Sequence, residues 1–235
     1  MKKMFVLAII MICINLVNLS ALKGTGNVMS EERNVSIFHS LRFDCIGNVI
    51  INEGKPGLLK VTTDANIMPL ISTEVDEKGV LVIKTTKLVT EANKLEVIVT
   101  MDTIQELFVS GSGKIDVLKK INEEKVSFKV QGSGNIRTDV TSKFVYSKIT
   151  GSGSIDLSGT TIKHDIDING SGEVNALNLI TEDITISVAG SGLGKVKASN
   201  MLEIELIGGN VEYSGHPKIN LNAAKIGGGS LKYLD

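Results

Sequence analysis

The chain has 235 residues, of which 42% are hydrophobic and only 4% aromatic, with no tryptophan, so its core must be built mainly from Val, Ile and Leu. Its 25 basic and 26 acidic residues leave a formal net charge of −1, which lacks the basic excess that dominates nucleic-acid binding. With 24 glycines, 3 prolines and 2 cysteines, the composition favours short strands joined by tight turns and excludes a fold held by several disulfides.

Residues 1–21 are predicted to be a secretory signal peptide. Residues 1–3 form a basic start, residues 5–17 are almost wholly apolar, and Ala21 is a small residue suited to cleavage. The apolar stretch is shorter than the roughly 20 residues of a membrane-spanning helix, so we expect an exported protein that does not span the membrane after cleavage. The alternatives are an uncleaved anchor or lipid attachment at Cys13, although Ile12 and not a small residue precedes that cysteine.

The next part of the chain is predicted to be less regular. Residues 22–35 are polar and contain glycine, and we expect a flexible leader there. Residues 36–104 are predicted to form an irregular β part, with candidate strands at 43–52, 58–63, 79–84 and 94–100. Their close spacing suits hairpins or short irregular coils. Cys45, the only cysteine left after cleavage, has apolar neighbours and is predicted to be buried.

The strongest feature is a Gly-Ser-Gly repeat within residues 105–235. The tripeptide occurs five times with first glycines 19 to 21 residues apart, and degenerate copies follow at residues 208–210 and 227–229. The glycines predicted to form structural turns are Gly111, Gly113, Gly132, Gly134, Gly151, Gly153, Gly170, Gly172, Gly190 and Gly192. At residues 208–210 the copy is one residue short, so we expect a bulge or an altered corner in that coil.

Alternating apolar residues surround each tripeptide and share the parity of its two glycines, which places them together on one buried face. One coil of about 19 residues cannot bury that face alone, whereas stacked coils share a continuous core. The spacing therefore predicts an all-β, parallel β-helix-like solenoid, and it is too long for the 8 to 12 residues expected between the hairpins of a sandwich.

The repeats, together with segments 46–49, 95–100 and 211–217, resemble the putative auto-transporter adhesin head GIN domain family over about residues 36–235. The resemblance implies an exported bacterial protein with a parallel β-helix-like fold, located in the periplasm, at the outer membrane or on the cell surface of a Gram-negative bacterium. It implies adhesion as the function, and it brings no family catalytic residues to carry over.

The serines of the tripeptides are expected to stack into a column of hydroxyls on the solvent side of the corner. A second polar column beside it would consist of Ser110, Gln131, Thr150, Asn169 and Ala189. The functional interpretation is a polar strip that hydrogen-bonds a glycan or an envelope protein, although small polar residues also suit an exposed turn without any function. The residues of this predicted interaction strip are Ser112, Ser133, Ser152, Ser171 and Ser191.

Asp116, Arg137, Asp156 and Asn175 occupy equivalent positions after the second glycine and are expected to form a ladder across four coils. The two aspartates would lie about 9.6 Å apart, near the upper limit for the carboxyl pair of an inverting glycosidase. Arg137 is expected to pair with both, which would keep both carboxylates ionised and favours a surface ion-pair ladder over an acid catalyst.

No catalytic residue, metal site or cofactor is predicted. His39, His164 and His216 have no metal-ligand spacing, and the repeats lack the aspartates of a calcium-binding β-roll. The Gly-Ser-Gly serines lack a His/Asp partner in the sequence pattern.

Our first functional hypothesis is a non-enzymatic, exported envelope protein that acts as an adhesin or binding module through a polar β surface. A β-helix lyase or hydrolase acting on carbohydrate is an alternative that depends on fold analogy alone, and a structural component of an envelope assembly is another. Because a solenoid exposes strand edges at its ends, the terminal coils could also pair with a second copy of the chain.

Overall fold

The computed structural model describes residues 21–54, 56–221 and 228–235. The predicted signal peptide therefore lies outside the described residues, apart from Ala21 at its end. A short 3₁₀ helix, Met68–Leu70, interrupts a structure that is otherwise built of strands. The strands are β1 (Leu22–Lys23), β2 (Val28–Asn34), β3 (Ser40–Asp44), β4 (Asn48–Asn52), β5 (Leu58–Asp64), β6 (Ile71–Val75), β7 (Val80–Thr85), β8 (Val89–Glu91), β9 (Leu95–Thr100), β10 (Glu106–Gly111), β11 (Lys114–Gly132), β12 (Asn135–Gly151), β13 (Ser154–Gly170), β14 (Glu173–Ser214), β15 (Lys218–Leu221) and β16 (Ser230–Tyr233).

The chain forms a β-solenoid of about six turns, which confirms the fold predicted from the repeat. Strands β10, β11, β12, β13 and β14 follow one another as parallel neighbours. Between β11 and β12 the register runs from Lys125 opposite Phe144 to Gly132 opposite Gly151, an offset of 19 residues. Each coil therefore places equivalent residues directly above those of the coil before it. The stacked coils share a single core.

The two glycines of each tripeptide meet different steric demands. Gly151 has a φ of +125°, and a Cβ there would lie 2.5 Å from the carbonyl oxygen of Gly132 in the coil below. Gly153 faces the interior, where a Cβ would lie 2.5 Å from Cγ1 of Val130 and 2.3 Å from the carbonyl oxygen of Gly134. The first glycine is required by its backbone conformation, and the second by the lack of space inside the corner.

The core is aliphatic, as the composition predicts, and it runs the length of the solenoid. In β13, for example, Ile155, Ile166 and Ile168 are almost fully buried, while the residues between them point outward. Each such side chain contributes about 1.5–3 kcal/mol when it is transferred from water to the interior. Cys45 is buried as predicted, and burial raises the pKa of its thiol to about 12.

The N-terminal region completes the solenoid in an order that differs from the sequence order. β3 and β4 form a coil that pairs with β10 and β11, whereas β7 and β9, which come later in the chain, form the next coil outward. Antiparallel strands β5 and β6 then pair with β9 and β7. The region thus contains both the short coils and the antiparallel pairs expected from the sequence: parallel pairing forms the coils, and antiparallel pairing joins β5 to β9 and β6 to β7.

A strand occupies much of the segment that the sequence suggests is a flexible leader. Residues Val28–Asn34 form β2, which pairs antiparallel with the whole of β5. The Asp64 side chain strengthens this connection because it accepts hydrogen bonds from the backbone amide of Gly26 and from both the backbone and side-chain amides of Asn93. A polar strand is stable here because its backbone groups complete the edge of β5.

The degenerate copy near residue 208 has an altered corner, as its shortened spacing predicts. Gly208 and Gly209 both have positive φ, +96° and +66°, whereas only the first glycine of each earlier tripeptide does. Two consecutive positive φ values turn the chain with one residue fewer before Val211, which is fully buried. The last degenerate copy lies partly outside the described residues, since Gly227 is not among them.

Candidate functional site

The predicted serine column lies on the outer surface of the corner. The first glycines of the tripeptides stand in register on successive strands, and all five serines that follow them are exposed. Among the described residues, none of the five serine hydroxyls has a hydrogen-bond partner. The second polar column also stands in register, from Ser110 through Gln131, Thr150 and Asn169 to Ala189.

The ladder of Asp116, Arg137, Asp156 and Asn175 forms as predicted, because the four residues stand opposite one another on β11, β12, β13 and β14. The predicted pairing of Arg137 with both aspartates is wrong. Asp116 instead pairs at 2.8 Å with Lys114, two residues earlier on its own strand. Arg137 is exposed and forms no ion pair with any residue in the described part of the chain.

Amide side chains of the neighbouring coils donate hydrogen bonds to the Asp156 carboxylate. Asn135 donates a hydrogen bond to one oxygen at 3.1 Å, and Asn175 donates one to the other at 3.4 Å. Each oxygen of the Asp156 carboxylate thus has an amide partner. Asp116 and Asp156 have separate partners, and Arg137 pairs with neither of them.

A groove of about 390 Å³, which we call the bend groove, lies where the ladder meets the next bend of each coil. Ser158 donates a hydrogen bond to Asp139 at 3.0 Å, and Lys120 lies 3.5 Å from the same carboxyl group. The Asp139 carboxylate of the bend groove thus has partners within the protein, whereas Arg137 in the same lining has no ion pair among the described residues. The lining residues are Val117, Arg137, Thr138, Asp139, Asp156, Leu157, Ser158, Asn175 and Asn178.

A second depression, which we call the aromatic groove, lies on the face that precedes the Gly-Ser-Gly corner. It consists of two adjoining hollows of about 460 and 340 Å³ that share Tyr146. Phe144 and Tyr146 point outward from β12 and are half-buried, and Phe108 points outward from β10. The residues that line it are Gln105, Glu123, Glu124, Lys125, Val126, Ser127, Phe144 and Tyr146 in one hollow, and Phe108, Lys129, Val130, Gln131, Tyr146, Lys148 and Thr150 in the other.

Neighbouring side chains hold the aromatic rings in place. The Tyr146 hydroxyl donates a hydrogen bond to Asp167 at 2.7 Å, and burial together with this carboxylate raises the pKa of Tyr146 to about 12. The Arg42 guanidinium lies 4.8 Å from the centre of the Phe108 ring, and the Lys163 ammonium lies 5.8 Å from that of Phe144. The sequence patterns above do not predict this site, and the signal for it is that Phe108 and Phe144 occupy outward positions in the alternating pattern.

A buried serine–histidine pair lies in the core, away from the tripeptides. Ser147 Oγ and His164 Nε2 are 2.8 Å apart, and both residues are completely buried. Burial lowers the pKa of His164 to about 3, so the imidazole is neutral near pH 7. Because no substrate can reach a fully buried hydroxyl, this pair belongs to the core and is not a catalytic dyad.

Within residues 21–54, 56–221 and 228–235, no group of three or more His, Cys, Asp or Glu side chains is arranged to hold a metal ion. The same part of the chain contains no helix that is long and apolar enough to cross a membrane.

The fold and its outward polar columns define a parallel β-solenoid with an extended outer surface. The family model described as "Putative auto-transporter adhesin, head GIN domain" matches residues 37–217, and the chain belongs to this family. No curated protein matches the chain.

Solved structures share the fold at low sequence identity. A putative adhesin from Bacteroides fragilis is 21% identical with a TM-score of 0.83, and the match covers 91% of this chain and 100% of that one. A putative lipid binding protein from Parabacteroides distasonis is 21% identical with a TM-score of 0.75, covering 92% and 100% of the two chains. A putative adhesin from the same species is 22% identical with a TM-score of 0.72, covering 91% and 100%.

Proposed function

We propose that this protein is a non-catalytic binding module, exported to the envelope of a Gram-negative bacterium, that attaches to a glycan or envelope partner through the outer surface of its solenoid. The observation that carries the proposal is the registered stacking of outward side chains over successive coils, including exposed serine hydroxyls and the aromatic groove. Such a surface presents many hydrogen-bonding groups at fixed spacing, which suits an extended partner.

Membership of an adhesin family and the basic, apolar start of the sequence support export and attachment. Against the alternative of a lyase or hydrolase, the carboxylates of the ladder are already engaged, Asp116 by Lys114 and Asp156 by two amides. The third hypothesis, a structural component of an envelope assembly, would involve the same surface but a permanent protein partner.

The test is a binding screen with the mature protein, from residue 22 onward, against whole Gram-negative cells, outer-membrane extracts and immobilised glycans. We expect saturable retention on cells or on a glycan, and heat-unfolded protein serves as the control. Lack of retention on every surface would contradict the proposal. Recovery of one stoichiometric protein partner from extracts, without glycan binding, would favour the structural role.

Pairing of the terminal coils with a second copy of the chain also stays a prediction. The described sheet ends at β15, whose outer edge can accept a further strand. Light scattering over a range of concentrations tests it, because a strict monomer at high concentration would contradict self-association.

A further inference from the structure

We propose that the aromatic groove binds an acidic oligosaccharide, a chain of sugars that carry carboxylate groups. This inference depends on the proposed function, since it names the ligand class and the place where the binding module holds it.

The groove combines an apolar platform with a border of polar and charged side chains. Phe144 and Tyr146 are two residues apart on β12, so their outward rings lie about 6.6 Å apart along the strand. Ser127 stands opposite Tyr146 on the neighbouring coil, and its small side chain leaves the hollow beside the rings. An aromatic face bordered by polar and charged side chains suits a sugar ring, which has apolar C–H faces and a polar rim.

The lining of the two hollows has one more basic than acidic residue, and Asp167, which stands opposite Lys148, accepts the hydrogen bond of Tyr146. Three lysines and two glutamates line the two hollows. The carboxylate of each glutamate has a partner. Glu123 accepts a hydrogen bond from the Ile104 amide at 3.1 Å, and Glu124 forms an ion pair with Lys143 at 3.0 Å. Lys129 is likewise paired, with Glu106 at 2.6 Å.

Two lysines of the lining form no ion pair among the described residues. Within the described part of the chain, Lys125 and Lys148 form no hydrogen bond and no ion pair within 4.0 Å. Lys125 stands opposite Phe144, and Lys148 follows Tyr146 on β12, so the two ammonium groups flank the aromatic platform. Their Cα atoms are about 14 Å apart, given four residues along the strand and one strand spacing. This separation suits two carboxylates on a chain that crosses the rings, and not one small anion.

The proposal can be tested by calorimetric titration of the mature protein with oligosaccharides of galacturonate, alginate and sialic acid. Methyl-esterified galacturonate is the matched uncharged ligand, because it has the same sugar ring with its carboxylate masked. We expect at least one acidic chain to bind, and galacturonate to bind about tenfold more tightly than its methyl ester if it is that chain. We also expect the affinity to fall as the salt concentration rises from about 0.05 to about 0.5 M.

Variants assign the binding to this groove. Lys125→Gln and Lys148→Gln should each weaken binding about tenfold, because each removes one charge-assisted contact. Tyr146→Ala should weaken it at least fivefold. Lys197→Gln is the matched control, since Lys197 is an exposed lysine on the face beyond the corner. Circular dichroism and thermal melting establish that each variant is folded.

Three outcomes would overturn the inference: no acidic chain binds, the uncharged ester binds as well as the acid, or the Lys125→Gln/Lys148→Gln double variant binds within twofold of the wild type. The proposed function fails separately, when the wild-type protein is retained on no cell, extract or glycan. If the wild-type protein and the double variant attach to cells equally well, the proposed function holds. The aromatic groove is then rejected as the binding site.

Discussion

Replacement of Gly151 by alanine should destabilise the protein strongly, because both the backbone conformation and the space around this residue require glycine. A φ of +125° costs a residue with a Cβ about 1–3 kcal/mol. The new Cβ would also lie 2.5 Å from the Gly132 carbonyl oxygen, a backbone atom that cannot move without disturbing the parallel ladder. Overpacking of this kind costs about 1–3 kcal/mol, so we expect a total loss of about 2–6 kcal/mol.

Urea denaturation measures this loss. With a slope of about 2 kcal/mol per molar urea, the midpoint should fall by about 1–3 M. Because each coil contacts only its neighbours, hydrogen exchange should show the loss of protection centred on β11, β12 and β13. Ser152→Ala, in the same corner, and Gly228→Ala, where no atom lies within 4 Å of the new Cβ, are the controls and should change stability by less than about 1 kcal/mol. A midpoint for Gly151→Ala within about 0.3 M of wild type would refute the argument.

Three further predictions concern buried and outward side chains. Because burial lowers the pKa of His164 to about 3, the unfolded chain binds a proton that the native state does not, and stability should fall as pH drops from 6.5 by up to about 1.4 kcal/mol per unit. A Ser147→Ala/His164→Leu variant should show a smaller slope between about pH 6.5 and 5 in urea titrations, and an unchanged slope would contradict this. Since burial raises the pKa of Cys45 to about 12, a thiol reagent should label the mature native protein at less than about a tenth of the rate found in urea; equal rates would show that Cys45 is accessible. Tyr146→Phe removes the hydrogen bond to Asp167 but keeps the ring, so melting curves should report a loss of about 1 kcal/mol while binding of an acidic oligosaccharide changes less than twofold.

The regular part of the fold could be predicted from the sequence because one period specifies three things together. The 19-residue offset places Gly132 opposite Gly151, brings Arg137 opposite Asp156, and puts the apolar residues between them on the inner face. The N-terminal region has no such period. The placement of β7 and β9 outside β3 and β4 depends on long-range pairing that no local pattern encodes.

Side-chain partners were harder to predict than side-chain positions. Register correctly placed Arg137 between two aspartates, yet Asp116 pairs with Lys114 on its own strand and Asp156 accepts hydrogen bonds from amides. Residues two apart on one strand point to the same side and compete with the residue in the next coil. A prediction from the repeat alone leaves out these competing residues. Their competition is the reason that the predicted ion pairs do not form.

We expect the aromatic groove to contribute more than the serine column to the proposed binding. The serine column repeats one small side chain on every corner, so it offers the same weak hydrogen-bonding group at each level and gives no preference for one ligand. The groove places two rings and two lysines at positions where the repeat departs from its own consensus. Because β11 and β12 are hydrogen-bonded to neighbours on both sides, these groups are held at fixed separations before a ligand arrives, and little conformational entropy is lost on binding. In a solenoid whose regular parts serve stability, the irregular outward positions are where specificity can reside.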